Sequence, residues 1–375
     1  MELSLKRTTE IAAGLAGIAL QIFFWWPSLG KIAAGHNDFL TLYAGGRLVG
    51  SGQLYDAARN AQVELATGGA TGRVLRYIRP PFQAVMFRPL AALPFLLAYR
   101  IYVLLSLFAL VGFVLLWPGP DRAALALACC WSLPVSAVFA NGQDVAFLLL
   151  WLALAARWHD RRPVWAGMAL ALCAAKFQLF LLIPLWLLAQ RRWRMLSGLA
   201  AGGGILTAIS FLFEGWTWPQ RMLAAVRSPL IGPGEWIMPN LHGLWLGRSS
   251  HPVVEGASVL AVTAVVALIA MWRSQFTPGL CAALVGSLLI SYHAYPADAA
   301  LLIPALLATF HLARMRWLRL LALALLAPIW YWFLMSGGPL GSALRLGMLA
   351  VLTGIAWEAW RFRRAGRAVL CDENL

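Results

Sequence analysis

Apolar stretches long enough to cross the roughly 30 Å hydrocarbon core of a bilayer recur along the whole of this 375-residue chain, parted by short breaks carrying Pro, Gly or polar residues. Few folds are compatible with that pattern. With 61% of its residues hydrophobic, 12% charged and a mean hydropathy of +0.73, the chain could not hide its apolar surface as a soluble domain, so lipid is its solvent. A membrane β-barrel would alternate polar and apolar residues over segments of about ten, and that alternation is absent. Hydropathy predicts helices at 9–28, 92–116, 123–140, 144–157, 163–175, 177–190, 195–213, 253–271, 278–291, 298–312, 317–335 and 343–360. The expected fold is an all-α integral membrane protein, a bundle of about 12 transmembrane helices in one polytopic domain, 1–375, with no internal repeat. The segments 163–175 and 177–190 are each too short to cross alone. They are read either as a pair of short helices meeting near Lys176 or as one long span.

A net charge of +15 would suggest nucleic acid as the partner of a soluble protein. Here much of the charge is gathered in short clusters between apolar segments: Lys6/Arg7, Arg157/Arg161/Arg162, Arg191/Arg192/Arg194, Arg273, Arg314/Arg316/Arg319 and Arg361/Arg363/Arg364/Arg367. On the pair reading all of them fall on one side, so the positive-inside rule puts both termini in the cytoplasm and no nucleic acid is implied. The expected location is a bacterial inner membrane. The segments then facing outward are 30–90, Asn141 to Asp144, the turn at Lys176, 214–252, Ser291 to Asp298 and Ser336 to Ser342. The two long ones mix aromatic, Gly, Pro and charged residues and are expected to fold onto the membrane surface. There Phe39 to Val49, with its small Ala44, Gly45 and Gly46, suits a short interfacial helix. Ile11 to Trp26 lacks a small-x-small cleavage site and is expected to be a retained first helix. The five cysteines form no CxxC pair and have no flanking His at ligand spacing, so neither a disulfide framework nor a metal site is indicated.

Most of the unusual polar residues lie in the outward set. Asp38, in Gly35-His36-Asn37-Asp38-Phe39, is either the N-cap of a following helix or a general base. The same loop carries Arg47, Arg59, Arg73, Arg76, Arg79 and Arg88, which a long loop tolerates on topological grounds and which could equally grip a phosphate bidentately. Within Tyr77-Ile78-Arg79-Pro80-Pro81-Phe82, the two prolines are expected to fix an extended backbone. Asn141-Gly142-Gln143-Asp144 reads as a polar turn, with Asp144 a helix cap. Lys176 is a lone lysine in an apolar run, either snorkelling or functional. Ser291-Tyr292-His293-Ala294-Tyr295-Pro296-Ala297-Asp298 brings an imidazole, two phenols and a carboxylate to one helix junction. In the second long loop, Glu214, Arg221, Arg227, Glu235, Asn240 and His242 have no distinguishing spacing.

The ordered run Asp38-Phe39, Tyr43-Ala44-Gly45, Gly52-Gln53-Leu54-Tyr55-Asp56, Tyr77 with Pro80-Pro81-Phe82, Pro89-Leu90 and Leu93-Pro94 resembles glycosyltransferase family 87. These are polyprenol-phosphate-mannose-dependent mannosyltransferases of the GT-C superfamily. The resemblance continues through Gly142-Gln143, Lys176 and Gln178, Arg191-Arg192-Trp193-Arg194 and Ser291-Tyr292-His293, while Arg79 stands where the family more often has an aromatic residue. It implies a GT-C-type bundle in which Asp38 is the catalytic base, deprotonating an acceptor hydroxyl that displaces the donor phosphate with inversion. It also implies a polyprenyl-phosphate sugar as donor, a lipid or glycan as acceptor, and no cofactor or metal, with cations stabilising the leaving phosphate. His293, Lys176, Arg79, Arg76 and Arg73 are expected at that phosphate. Tyr43, Tyr77, Asn141, Gln143, Tyr292, Asn240 and His242 are expected to contact substrate. A flippase for a lipid-linked sugar and a lipid-linked glycan ligase are the alternatives, although the flippase should show paired broken helices in two related halves.

Overall fold

A computed structural model of the protein describes residues 2–68, 75–119, 121–228, 234–245, 252–272 and 275–372. Among these residues every regular element is a helix. Six helices are long and apolar enough to cross a membrane: Arg7–Ala33, Phe95–Leu116, Pro163–Phe180, Trp193–Glu214, Pro252–Trp272 and Gly341–Arg364. Two bent pairs bring the number to 8 if each is one span: Arg122–Trp131 with Leu133–Ala140, bent by 61°, and Arg316–Ala324 with Pro328–Met335, bent by 54°. The first bend has a local cause, since Ser132 Oγ accepts the Val135 N–H and Pro134 stands in the next first turn. The remaining predicted segments are also helical but short: Val145–Trp158, Leu182–Ala189, Phe276–Ile290 and Pro296–Leu312. At 1.5 Å per residue the 14 residues of Val145–Trp158 reach about 21 Å, less than the hydrocarbon core.

The short helices explain where polar residues can sit. The turn 141–144, the break at Lys176 and the segment 291–295 all lie at their ends. Non-helical backbone at such places is tolerated where protein covers it or it lines a cavity. At Lys176 the backbone leaves helical geometry (φ −129°, ψ 58°), so Pro163–Phe180, long and apolar enough to cross, is broken near its end and the chain divides there into two short helical arms, as the pair reading expected. Both arms return to one end of the molecule, where His159, Pro163, Arg191, Arg192 and Arg194 surround a common hollow. There the His159 ring and the Arg192 guanidinium both lie against Phe276, at 3.9 and 4.9 Å.

Glycines set the closest helix contacts. Pro163–Leu172 and Trp193–Glu214 run parallel with Gly167 against Met195 and Gly198 against Val164, where an added Cβ would collide with backbone. Gly45 and Gly46 likewise admit Tyr77 and Phe87. Phe39–Leu48 is therefore a helix, but not the surface-lying one expected from its composition. Eight of its ten residues are buried beneath the Pro81–Ala91 helix, because its small residues let that helix close over it. Pro80 is extended (φ −59°, ψ 147°), whereas Pro81 opens a helix, since a first-turn residue needs no N–H and its fixed φ suits the start. The surface helices of the loops are Ala57–Ala66, with only Asn60 and Glu64 buried, and Trp218–Val226, with only Met222 and Ala225 buried. Arg345, buried in the last helix, donates to the Met238 carbonyl at 2.8 Å and to that of Trp236, tying the second long loop to the bundle.

Candidate active site

The turn that carries Asp38 is built by its neighbours. Gly35 takes the left-handed conformation (φ +72°). The Asn37 side chain accepts the Phe39 N–H and donates to the Ala140 carbonyl and the Tyr99 hydroxyl, each at 3.1 Å. Asp38 occupies the N-cap position of Phe39–Leu48 but makes no side-chain cap bond. Its main-chain N–H donates to the Asn141 carbonyl at 3.0 Å, which joins this turn to the turn 141–144. Gly142 completes the joint at φ +60°, its Cα so close to Asn37 Oδ1 that a side chain would collide, and its carbonyl accepts from the Tyr102 hydroxyl. Of the two readings of Asp38, capping therefore fails: Asn37 does the turn's work and leaves the Asp38 carboxylate facing a cavity.

That cavity has a volume of about 430 Å³, within the ~300–1,000 Å³ of small-molecule sites. At its floor Gln143 links the charged groups. Its Oε1 accepts from Lys176 Nζ at 2.5 Å and from Arg79 Nη2 at 3.3 Å, which turns its Nε2 toward Asp38 Oδ2, to which it donates. Lys176 Nζ also donates to Asp298 Oδ1 at 2.5 Å and lies 3.6 Å from Asp144 Oδ1. Arg79 Nη1 donates to Asp144 Oδ2 at 2.5 Å, and Gln83 Nε2 donates to the same oxygen at 2.6 Å. Asp298 Oδ2 accepts the Tyr295 N–H at 2.8 Å. Two cations thus sit among three carboxylates. Lys176 does not snorkel; it is 4% exposed and fully engaged. Asp144 does not cap its helix: its Oδ2 is turned to Arg79 and Gln83 and its Oδ1 toward Lys176.

The charges divide the acids into two kinds. Burial disfavours the Asp144 carboxylate, but Arg79 and Lys176 overcome this and hold it down at about 2. For Asp38 burial wins and raises the carboxyl above its ordinary value, with Arg79, Lys176 and the Gln143 hydrogen bond offsetting part of the rise. An aspartate of raised pKa, held at one oxygen and opening on a cavity, is suited to accept a proton. Burial lowers the His293 imidazole, opposed by Asp298 and helped by the nearby Lys176 and Arg79, which disfavours its charged form.

Of the residues expected at the site, Asp38, Arg76, Arg79, Gln143, Lys176, His242, Tyr292 and His293 line this cavity. Tyr43, Tyr77, Asn141 and Asn240 do not. The Tyr43 hydroxyl donates to the Leu93 carbonyl and the Tyr77 hydroxyl to the Pro80 carbonyl, both bracing the first loop. Asn141 contributes a main-chain carbonyl, and the Asn240 side chain joins the Ser291 carbonyl to the Gly243 N–H. Arg73 lies outside the described residues. Sequence reasoning did not single out Gln83 or Ser228, passed over Arg227 and Glu235, and named Asp298 without giving it a role. A carboxylate in the Ser291 to Asp298 cluster was the one available signal for Asp298. Among the described residues no group of three or more His, Cys, Asp or Glu is placed to hold a metal ion.

Comparison with protein families matches residues 77–296 to the model of glycosyltransferase family 87. No curated protein and no solved structure matches. The matched stretch is more than half of the 375 residues and runs from Tyr77 to Pro296, taking in Arg79, Gln143, Asp144, Lys176 and His293. Asp38 precedes it and Asp298 follows it, yet both are bonded directly to side chains within it. With most of the cavity floor inside that stretch, and with helices of membrane-spanning length around it, the chain belongs to glycosyltransferase family 87 and is a membrane glycosyltransferase.

Proposed function

We propose that the protein transfers a sugar, mannose by its family resemblance, from a polyprenyl-phosphate carrier to a lipid or glycan acceptor, with inversion and with Asp38 as general base. The observation that carries this reading is the Asp38 carboxylate: one oxygen is held by Gln143, and among the described residues no other donor reaches it. The acceptor hydroxyl oxygen forms a bond to C1 of the sugar as the C1–O bond to phosphate breaks. The hydroxyl proton passes to Asp38 and the bonding pair leaves on the phosphate. A β-linked donor thus yields an α-glycoside. A lipid carrier suits the architecture, because its tail can stay in the bilayer while the phosphosugar enters a cavity at one end of the bundle. The gathering of arginines at the other end supports a site on the outer face of the inner membrane.

Membranes containing the protein should transfer labelled sugar from a polyprenyl phosphosugar to an endogenous acceptor. Asp38→Asn keeps an oxygen for Gln143 but cannot take a proton, and should lower the rate by about 10²–10⁴ while inserting normally. Wild-type activity in that variant would remove Asp38 from the mechanism.

A further inference from the structure

The cations of the cavity fall into two groups. Lys176 and Arg79, on the floor, face Asp298 and Asp144 and are committed to the Gln143 amide oxygen. Little of their charge is left for a ligand. Arg76 and Arg227 also line the cavity, and among the described residues neither meets a carboxylate. Among the described residues the one side-chain partner of Arg76 is the Ser228 hydroxyl, at 2.6 Å, and the exposed Arg227 has none.

The surroundings hold these residues in place from two directions. Glu64 accepts the Leu75 N–H at 3.0 Å, fixing the backbone next to Arg76. Arg227 and Ser228 leave the end of the Trp218–Val226 helix, which is bolted to the first loop at its other end. There Arg221 donates to the Gly52 carbonyl at 2.6 Å and pairs with the buried Glu214 at 3.2 Å, and Glu214 accepts the Gly50 N–H at 2.8 Å. Trp216, 82% exposed, and Leu223 turn apolar surface outward beside it, as a helix at the headgroup level of a membrane does.

We propose that Arg76 and Arg227, with the Ser228 hydroxyl, form the clamp for the phosphate of the lipid-linked donor, and that Lys176 and Arg79 are positioning residues acting on Asp38 through Gln143. This rests on the donor reading above. The donor phosphodiester carries one negative charge and leaves as a monoester carrying about two, so a clamp of guanidinium groups that pair with no carboxylate among the described residues strengthens as the C1–O bond breaks. The Ser228 hydroxyl, which accepts from Arg76, supplies a further hydrogen bond.

The test compares Arg76→Gln/Arg227→Gln with Lys176→Met in the full-length protein, in vesicles supplied with a polyprenyl phosphosugar. Losing two charge-assisted contacts should raise the donor KM by about tenfold or more and weaken inhibition by sugar-free polyprenyl monophosphate to the same degree. The acid limb of the rate against pH should stay in place. Arg227→Lys should recover part of the loss. Lys176→Met should instead lower kcat and move the acid limb. If wild type does not use a polyprenyl phosphosugar, the donor reading itself fails. If wild type does and the double variant keeps its KM and its inhibition, the clamp is wrong. Equal inhibition of wild type by inorganic phosphate and by the polyprenyl monophosphate would overturn a site for a lipid-borne phosphate.

Discussion

The Gln143 amide faces two cations on one side and Asp38 on the other, and its orientation follows from them: the oxygen must meet Lys176 and Arg79, so the NH₂ must meet Asp38. Burial already raises the Asp38 carboxyl, and Gln143 and Lys176 both oppose that rise. Removing either donor therefore drives the pKa further up. A base must be ionised to act, so kcat/KM falls as pH drops through the Asp38 pKa, and Gln143→Leu or Lys176→Met should move that acid limb to higher pH. A limb that stays put or moves to lower pH would refute the coupling. Asp38 and Lys176 were legible in the sequence as charged residues out of place beside apolar helices. Their partners were not, because Lys176 is 33 positions from Gln143 and 122 from Asp298. A lone lysine reads as a free cation until a fold supplies its counter-ions.

At the level of the helices, hydropathy found each apolar segment, since lipid solvation imposes length and composition directly on sequence. It could not show which helix covers another. Phe39–Leu48 has the composition of a surface element and is buried because Gly45 and Gly46 admit a neighbour, a matter of shape more than of polarity. Two substitutions separate packing from positioning. Gly167→Ala places a methyl against the Met195 carbonyl and should cost about 1–3 kcal/mol by overpacking, lowering the melting temperature of the solubilised protein. Gly142→Ala strains a left-handed residue at about 1–3 kcal/mol and pushes on Asn37, whose turn aims Asp38. Its transfer rate should fall well beyond what its melting shift explains. Similar rates in the two variants at matched stability would mean that the joined turns do not aim the base.

Across the molecule, two charged hollows lie apart, at opposite ends of the Val145–Trp158 helix. Asp38, Lys176, His293 and Asp298 converge on one cavity, and His159 and the Arg191 to Arg194 cluster gather on another hollow. The parity of the arginine clusters made this separation legible before any geometry. A Cys at the exposed Gln53 should therefore react with an impermeant thiol reagent in intact cells, and one at Arg161 only after lysis; the reverse pattern would invert the protein in its membrane. The family match ends at Pro296, yet Arg345 holds the Trp236 and Met238 carbonyls, and Met238 lines the cavity beside His242. Part of the vessel wall is thus hung from a helix that lies beyond the matched stretch. Such a mounting lets a change in that helix reshape what the vessel admits without a change at its floor.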